Sequence, residues 1–476
     1  MIQDADILSG VLNEFYGLCA IPHPSGHEEQ IGAYLMKLLQ NRGWNPAMDH
    51  RGNILCDVPA TEGWEDRSRL ILQAHMDMVC VGAEDYCPQR DPIRTEIRDG
   101  WLCTDGRSSL GADCGIGLAA ALYLVGGEWA HGPLRLIFTV DEERGLQGAE
   151  QLSPDCVKGC GGVINLDSFH FGEVLISSAG GLRQTYRKTT ECFFPMLDCP
   201  VKIKISGLLG GHSGDDIGLN RANAGRLLVW LLQSLDFPYE FSSCSAGNTH
   251  NAIPASGEVG IVIDKRDENA LKEQIELFAQ GIRELYPLEP DVSIIMEDTE
   301  MPQWVMTVDQ RDDFLALGGL ILCGVQEMHP LCPEVVGTSN SMGMLYADDQ
   351  GIEIRSFPRS YSQEAMEALA AFHTMAAEGL GFSSEDIGYP TWPGMPSDPL
   401  SELFLEKGRE AGIEMTKNAV HVGLESAYFH QFAPDLPIVT AGMEIRDPHS
   451  VSERVKVDTI PAFTRILGAV LRDWNG

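Results

Sequence analysis

Basic residues are scarce in this chain of 476 residues. Lysine and arginine together number 34 against 69 aspartate and glutamate residues, so the formal net charge is −35 at pH 7. Nucleic acids and anionic membrane surfaces are bound through basic patches, so this balance argues against both as partners. The same excess of carboxylates is compatible with the binding of cations, including metal ions.

Long hydrophobic runs and paired cysteine motifs are also missing. No apolar stretch reaches the length of a membrane span, and the opening segment, MIQDADILSGVLNEFYG, carries acids where a secretory leader carries basic residues. The 13 cysteines are scattered without a C-x-x-C pair, which predicts reduced thiols and no disulfide framework. We therefore expect a cytoplasmic protein without a membrane segment.

The length of the chain and its pattern of apolar residues predict more than one domain. Residues 68–79, 133–140 and 162–166 are apolar runs of buried-strand length, and 115–125 is apolar enough for a buried helix. Residues 29–42 repeat apolar side chains at helical spacing. Strands that alternate with helices in this way predict an α/β fold with a largely parallel sheet covered on both faces.

The pattern changes near residue 187. Residues 199–206 and 257–264 alternate apolar and polar side chains, as half-exposed strands do, and a helical segment at 222–235 lies between them. This pattern predicts a second, α+β unit with an antiparallel sheet. The predicted division is one domain formed by 1–186 and 385–476, with a second domain, 187–384, inserted into it.

The stretch FTVDEERG, residues 138–145, places Asp141, Glu142 and Glu143 directly after an apolar run. Cubing the acidic fraction of the chain gives roughly 1.4 acidic triples by chance, so the run alone identifies no function. A solvated acidic loop is the simplest interpretation. Its significance depends on what the neighbouring strand ends carry.

Residue types that bind metals lie near the ends of three predicted strands and in the turn before the predicted helix. They are His75 with Asp77, Asp113, Glu142 with Glu143, and Asp167. Sites of open α/β sheets lie beyond the carboxyl ends of the strands, so these side chains could form one cluster. Each also has a simpler interpretation: a hydrogen-bonded His-x-Asp pair, a helix N-cap at Asp113, a solvated loop at 142–143, and a turn cap at Asp167.

A shared crevice of low dielectric would favour a cation among these carboxylates. Several of them cannot stay together there unless their pKa values rise or a cation binds. Histidine with aspartate and glutamate, without a pair of thiolates, favours Zn²⁺, Mn²⁺ or Co²⁺. Two metal ions about 3.5–4 Å apart would require one carboxylate shared between them.

Eight motifs follow one another in the order found in M20 metallopeptidases. They are AHMDMV, GRSSLGADCGIGLA, TVDEERG, INLDS, GGHSGDDIGLNRANA, NAIP, HVGLESA and DPHSVSERV. IPHPSGHEEQIGAYL and YPTWPGMPSDPL add to the likeness. The chain therefore resembles this family over nearly its whole length, and most of all its aminoacyl-histidine dipeptidase branch. The resemblance implies a metal-binding α/β/α catalytic domain with an inserted α+β lid domain that dimerises.

The resemblance also implies two divalent metal ions per chain, with Zn²⁺ favoured and Mn²⁺ or Co²⁺ as alternatives. The implied ligands are His75 and Asp167 for one ion, Glu143 and His449 for the other, and Asp113 as the bridge. Asp77 would hold the His75 imidazole in one tautomer. Glu142 would be the general base, whereas Asp141 has no implied role and is interpreted as structural.

Four further residues are candidates for contacts with the substrate, and two of them, His212 and Arg355, match family positions. His212 in GGHSG matches a lid histidine that reaches the scissile carbonyl oxygen, often from the other subunit of a dimer; by itself it would be interpreted as a loop residue. Arg355 in EIRS matches an arginine expected near a substrate carboxylate, although arginines at strand ends are often surface ion pairs. Glu425 in GLES is a candidate for the substrate amine, and Asn340 in GTSNSMG for another substrate contact.

Three positions depart from the family pattern. Cys114 stands where asparagine commonly follows the bridging aspartate, PHSVSE replaces PHSPDE, and Asn340 lies one place early in its motif. These departures concern lid contacts and substrate preference, and the set of metal ligands is complete.

The function implied by the resemblance is cleavage of dipeptides, including Xaa-His peptides, by a dinuclear metallopeptidase that dimerises through its lid. Two alternatives stay open: an M20 deacylase of N-acyl amino acids, and an inactive homologue that binds amino acids or metals. A binding protein needs no general base, so Glu142 counts against the inactive homologue.

Overall fold

The structure is a computed structural model, and it describes residues 3–476. The α-helices are α1 (Asp4–Cys19), α2 (Glu29–Asn41), α3 (Ala112–Gly126), α4 (Gln147–Glu150), α5 (Ala224–Ser234), α6 (Glu268–Leu285), α7 (Val308–Leu320), α8 (Gln363–Gly379), α9 (Pro399–Glu410), α10 (Ser426–Phe432) and α11 (Thr459–Asp473). The strands are β1 (Ala47–Met48), β2 (Ile54–Val58), β3 (Arg69–His75), β4 (Thr95–Arg98), β5 (Trp101–Thr104), β6 (Leu134–Thr139), β7 (Cys160–Asn165), β8 (Glu173–Ser178), β9 (Gly180–Lys188), β10 (Cys192–Phe193), β11 (Cys199–Ser206), β12 (Gly211–His212), β13 (Tyr239–Gly247), β14 (Ala252–Ile253), β15 (Gly257–Ile263), β16 (Ser293–Asp298), β17 (Val305–Met306), β18 (Gly324–Met328), β19 (Val336–Ala347), β20 (Ile352–Ser360), β21 (Ser383–Tyr389), β22 (Thr416–Val420), β23 (Ile438–Thr440), β24 (Ile445–Arg446) and β25 (Arg454–Lys456).

The chain divides into two compact units. The first comprises the chain up to Ser178 together with Thr391–Gly476, and the second is Ala179–Pro390. The boundaries placed by the sequence at 186/187 and 384/385 fall inside β9 and β21, which pair with each other in the second unit. Because the side chains of β21 are almost all exposed, this edge strand has no apolar pattern by which the sequence could reveal it.

The first unit is built on an eight-stranded sheet in the order β1-β2-β6-β3-β7-β23-β8-β22. Its centre is parallel, since β3 pairs with β6 on one side and with β7 on the other, and β7 pairs with β23. Strand β2 joins β6 antiparallel. The predicted strands 68–79, 133–140 and 162–166 correspond to β3, β6 and β7, and the predicted α/β class is confirmed.

Helix α3 lies in the hydrophobic core of this unit. Residues 118–122 are at most 1% exposed, as expected of a helix that is apolar on all sides. The helix packs on β3 and approaches the chain that follows β7. A Cβ on Gly117 would lie 2.5 Å from the carbonyl oxygen of Leu166, so only glycine permits this approach. The first turn of α3 is thereby held at the carboxyl ends of the parallel strands.

A smaller sheet in the first unit has the order β24-β25-β5-β4. The loop between β24 and β25 carries His449. Among the described residues, no helix has both the length and the apolar character that crossing a membrane requires.

The second unit is built on a nine-stranded antiparallel sheet in the order β16-β11-β15-β13-β19-β20-β9-β21, with β18 added beside β19. The predicted strands 199–206 and 257–264 are β11 and β15, which pair from Cys199 opposite Ile263. Burial alternates along β11, and α5 packs on β11, β13, β15 and β19. The predicted α+β architecture of this unit is confirmed.

Candidate metal centre

The register of the parallel strands brings the predicted metal-binding residues to one edge of the first unit's sheet. His75 ends β3 opposite Thr139 at the end of β6, and β7 runs parallel on the other side of β3. The residues that follow these strands therefore leave the sheet side by side. Asp113 joins them from the first turn of α3, and His449 from the loop between β24 and β25.

Asp113 lies between two imidazoles. Its Oδ1 is 3.1 Å from Nε2 of His75, and its Oδ2 is 2.9 Å from Nε2 of His449. Oε1 of Glu143 lies 2.8 Å from the same nitrogen of His449, and Oδ2 of Asp167 lies 4.0 Å from Nε2 of His75. The structure therefore brings all five predicted ligands together. They form two groups, His75 with Asp167 and Glu143 with His449, and Asp113 belongs to both.

Three overlapping sets of residues could each hold a metal ion, since the donor atoms within each set lie within 4.8 Å of one another. They are His75, Cys114 and Asp167; His75, Glu142 and Glu143; and Asp113, Glu143 and His449. Cys114 follows Asp113 through a cis peptide bond. The sequence marks Cys114 only as a departure from the family pattern, and no feature of its motif indicates that the thiol reaches this cluster.

Burial and mutual repulsion determine the charges in the cluster. Burial raises the pKa of Asp167 well above its usual range, and the charge of Asp113 adds to the rise. Burial also raises the pKa of Glu142 well above its usual range, with Asp167 and Glu143 acting in the same direction. Although burial lowers the pKa of His449, its hydrogen bond to Asp113 and the charge of the nearby Glu143 carboxylate raise it to about 11. Protons or a cation must therefore neutralise these carboxylates.

The donor atoms fit divalent metal ions. Imidazole nitrogens and carboxylate oxygens are ligands that Zn²⁺, Mn²⁺ and Co²⁺ accept. Oε1 of Glu143 is buried and accepts no well-oriented hydrogen bond within residues 3–476, despite its short contact with His449. A buried carboxylate oxygen in that position is costly unless a cation or proton satisfies it. Each of the two groups that share Asp113 could therefore hold a metal ion.

Asp77 is buried and contacts both the histidine and the backbone of the two glutamates. Its carbonyl oxygen is 3.0 Å from Nδ1 of His75, whereas its carboxylate Oδ1 is 3.6 Å from that nitrogen. The carboxylate accepts the backbone N–H of Glu142 at 3.0 Å and that of Glu143 at 3.3 Å. Asp77 therefore ties the end of β3 to the loop after β6.

The three adjacent acids of FTVDEERG have different surroundings. Asp141 is ion-paired with Arg51 at 2.5 Å and with Arg144 at 3.3 Å, which agrees with its interpretation as a structural residue. Glu142 and Glu143 instead reach the donor atoms of the cluster. The acidic triple is therefore not a uniformly solvated loop.

Glu425 is fully buried in the first unit. Its Oε2 accepts hydrogen bonds from Oγ1 of Thr139, at 2.8 Å, and from the amide of Gln73. Its Oε1 has no hydrogen-bond partner among residues 3–476. Burial raises the pKa of Glu425 to about 7. Oε1 is thus a buried oxygen without a hydrogen-bond partner in the described part of the chain.

His212 lies in the second unit, at the end of β12. Its Nδ1 accepts the backbone N–H groups of Gly214 and Asp215 at 3.3 and 3.2 Å, and lies 2.9 Å from Oδ2 of Asp215. Nε2 takes part in none of these contacts. The ring therefore turns Nδ1 to its own loop.

Arg355 and Asn340 are engaged within the second unit itself. Arg355 pairs with Glu353 through Nε at 2.6 Å and through Nη2 at 2.5 Å. Asn340 is buried, and its amide donates to the carbonyl of Leu322 at 2.6 Å and accepts from Oγ of Ser356 at 2.8 Å. These contacts account for both residues without a ligand, and their roles in substrate binding stay predictions.

Arg359 has surroundings that Arg355 lacks. It is 2% exposed and donates to Oη of Tyr389 at 2.7 Å and to Oγ of Ser213, in the GGHSG loop, at 3.4 Å. Its guanidinium carbon lies 4.1 Å from the centre of the Phe357 ring. In the part of the chain that the structure describes, no carboxylate forms an ion pair with it. A buried cation without a counter-ion favours an anionic ligand. The burial of Arg359 and the ion pair of Arg355 distinguish the two arginines of EIRSFPRS.

Comparison with known families agrees with this arrangement. The profile of peptidase family M20/M25/M40 matches residues 71–473, most of the chain. This chain belongs to peptidase family M20/M25/M40. The resemblance carried by the sequence motifs is confirmed.

Relatives of this M20 family member are similar to it over nearly their full length. The cytosol non-specific dipeptidase of Escherichia coli (strain K12) is 30% identical over 475 residues, which cover 96% of each chain. The crystal structure of aminoacylhistidine dipeptidase from Vibrio alginolyticus matches with a TM-score of 0.88 and 29% identity, covering 97% of this chain and 96% of that one. Aminopeptidase PepT from Bacillus cereus ATCC 10987, with a TM-score of 0.57, 16% identity and 98% of each chain covered, shares the fold.

Proposed function

We propose that this M20 family member is a metal-dependent dipeptidase that hydrolyses the peptide bond of unacylated dipeptides, including Xaa-His peptides. The observation that carries the proposal is the position of Asp113, whose carboxylate oxygens face His75 at 3.1 Å and His449 at 2.9 Å. The similar proteins from Escherichia coli and Vibrio alginolyticus are both named as dipeptidases, which supports this substrate class.

The proposed cofactor is a pair of divalent metal ions in each chain. The residues that would hold it are His75 and Asp167 on one side, Glu143 and His449 on the other, and Asp113 between them. Zn²⁺ is favoured by this mixture of imidazole and carboxylate ligands, with Mn²⁺ and Co²⁺ as alternatives. When bound, such a pair of ions makes water more acidic and polarises a peptide carbonyl.

Glu142 is the residue that moves protons in this proposal. It lies among the donor atoms near His75 and Glu143 but is not required as a ligand. Its carboxylate would take a proton from the attacking water and pass it to the nitrogen of the leaving amine.

Two other side chains would position the reacting groups. Asp77 fixes the backbone of Glu142 and Glu143 and contacts the imidazole of His75 through its carbonyl oxygen. His212 would donate from Nε2 to the substrate oxygen on which negative charge develops.

The two charged ends of the substrate would be bound by different residues. The unpartnered Oε1 of Glu425 would accept the substrate amine. Arg359 is buried without a carboxylate partner and fits the substrate carboxylate better than Arg355, which pairs with Glu353. Charge-assisted hydrogen bonds would favour a substrate with a free amine and a free carboxylate over one with blocked ends. Asn340 stays a proposed contact to the same substrate.

The second unit would act as a lid and as the surface of a homodimer, with His212 serving its own chain or the partner. The proposed location is the cytoplasm, which the name of the cytosolic relative from Escherichia coli supports. The net charge of −35 gives no basis for nucleic-acid or membrane binding.

A substrate panel tests this function. Metal-loaded protein and chelator-treated protein would be assayed with unacylated dipeptides, tripeptides and N-acetyl amino acids. We expect the metal-loaded protein to hydrolyse dipeptides and to hydrolyse tripeptides only slightly. The chelator-treated protein should hydrolyse neither. Cleavage of N-acetyl amino acids with dipeptides left intact would make the protein a deacylase, and binding without cleavage would make it an inactive homologue.

A further inference from the structure

Glu453 is a buried carboxylate that accepts four consecutive backbone N–H groups. Its Oε2 accepts those of Leu110 at 2.7 Å and Gly111 at 2.9 Å. Its Oε1 accepts those of Ala112 at 2.8 Å and Asp113 at 3.2 Å. The residue is 2% exposed. One side chain therefore holds the whole turn that leads to Asp113.

This turn has little other support from its own backbone. Gly111 has a left-handed φ of 66°, and Asp113 is non-helical, with φ −79° and ψ 113°, although it lies in the first turn of α3. The first N–H groups of a helix have no partners within the helix. Because Glu453 supplies these partners, the direction in which the Asp113 carboxylate leaves the turn depends on Glu453.

The same residue lies close in sequence to His449. Its own N–H donates to the carbonyl of Ser450 at 3.1 Å, which closes the loop that carries His449. Arg454, which follows it, begins β25 and pairs with Cys103 of β5. Glu453 thus joins the loop of His449 to the turn of Asp113. Nε2 of His449 lies 2.9 Å from Oδ2 of Asp113.

We propose that Glu453 is a positioning residue, which sets the Asp113 carboxylate and the His449 imidazole at the separation that metal binding requires. The inference rests on the proposed metal centre. The charge and shape of a carboxylate are essential here, because its oxygens accept on both sides. A glutamine would turn an NH₂ group, which only donates, toward two of the four N–H groups.

The experiment compares Glu453→Gln with Glu289→Gln in the full-length protein. Glu289 is a matched control, since it is 1% exposed and accepts the backbone N–H groups of Leu209 at 2.7 Å and Ala222 at 3.0 Å in the second unit. Co²⁺ would be titrated into metal-free protein and followed by the visible absorption of the bound ion. The melting temperature of the metal-free protein would be measured in parallel.

The expected result is a roughly 10–100-fold weaker affinity for Co²⁺ in Glu453→Gln, the size of effect usual for residues that orient metal ligands. Its absorption spectrum should change, whereas Glu289→Gln should bind Co²⁺ with the affinity and spectrum of the wild type. Both variants should lower the melting temperature. If Glu453→Gln does not fold, Glu453→Asp takes its place; because it keeps both acceptor oxygens one methylene further away, a smaller loss of Co²⁺ affinity is expected.

Unchanged Co²⁺ affinity and spectrum in the folded Glu453 variant would overturn the inference, as would an equal loss of affinity in Glu289→Gln. Failure of the wild type to bind Co²⁺ would overturn the proposed metal centre itself and the inference with it. The wild-type titration therefore separates failure of the proposed function from failure of the role given to Glu453.

Discussion

The carboxylate of Asp77 accepts the backbone N–H of Glu142 at 3.0 Å, and its other oxygen accepts the N–H of Glu143 at 3.3 Å. The two glutamates are therefore fixed by their main chain to the end of β3, and their side chains are free to point to different partners. Glu143 reaches His449 at 2.8 Å. The proposed division of roles, one glutamate as base and one as ligand, is compatible with this arrangement.

Replacing Glu142 by glutamine should leave metal binding intact and slow turnover. The change keeps size and shape but removes the proton acceptor, so kcat should fall by roughly 10²–10⁴-fold, the contribution typical of general acid–base catalysis. Metal content by elemental analysis and kcat on a dipeptide would be measured on the same preparation. Loss of metal from this variant would assign Glu142 as a ligand instead.

Glu143→Gln is the counterpart of that change. Because Glu143 is the proposed ligand beside His449, the variant should bind metal more weakly, and its activity should partly recover as metal is added. Titration of activity against added metal measures this recovery. Activity and metal affinity equal to those of the wild type would exclude Glu143 from the metal centre.

Asp77→Asn should affect metal binding and turnover together. The amide keeps one acceptor oxygen but turns a donor toward one of the two backbone N–H groups that Asp77 now satisfies. We expect roughly 10–100-fold weaker metal affinity and a lower kcat, both measured on folded protein. If only the melting temperature changed, Asp77 would be a purely structural residue.

The two neighbouring arginines can be separated by kinetics on one dipeptide. Arg359→Lys should raise KM by roughly 10–100-fold, since it disturbs a charge-assisted hydrogen bond worth about 1.5–3 kcal/mol. Arg355→Lys is the matched control and should change KM little, because Arg355 already pairs with Glu353. A dipeptide amide, which lacks the carboxylate, should abolish the difference between wild type and Arg359→Lys. The opposite ranking of the two variants would support Arg355, as the sequence motif predicts.

Mixing two inactive variants tests how the second unit is used. Glu142→Gln lacks the proposed base, and His212→Ala lacks the proposed donor to the substrate oxygen. If His212 serves the partner in a homodimer, mixed dimers contain one complete site and should recover part of the activity after subunit exchange. A wild-type protein that is active as a monomer at assay concentration would contradict the proposed dimer.

The fold and the clustering of candidate residues at one sheet edge could be predicted from local signals, whereas His449 was added to the cluster only by the family resemblance. The apolar runs of β3, β6 and β7 stand out in the sequence, and the acids that follow them reach one edge because parallel strands end together. Helix α3 begins at Ala112, ahead of the predicted 115–125. Its first turn contains the non-helical Asp113, so the helical pattern of the sequence is interrupted there. A departure of that kind leaves no apolar pattern to read.

Residues whose roles depend on distant contacts could not be predicted. Glu453 resembles any charged loop residue until the turn at 110–113 is folded against it. Arg359 looks like a repeat of Arg355, and only the burial of the first and the ion pair of the second distinguish them. The domain boundary near β21 could not be predicted for a similar reason. This strand is exposed, and only its pairing with β9 assigns it to the second unit.

The central claim is that Asp113 joins two metal-binding groups in one catalytic centre. The most direct measurement is a titration of metal-free protein with Zn²⁺, Mn²⁺ or Co²⁺, in which bound metal and hydrolysis of an Xaa-His dipeptide are followed together. The account predicts that activity reaches its maximum at about two ions per chain and disappears with chelator. Full dipeptidase activity in protein shown by elemental analysis to contain no divalent transition metal would contradict it.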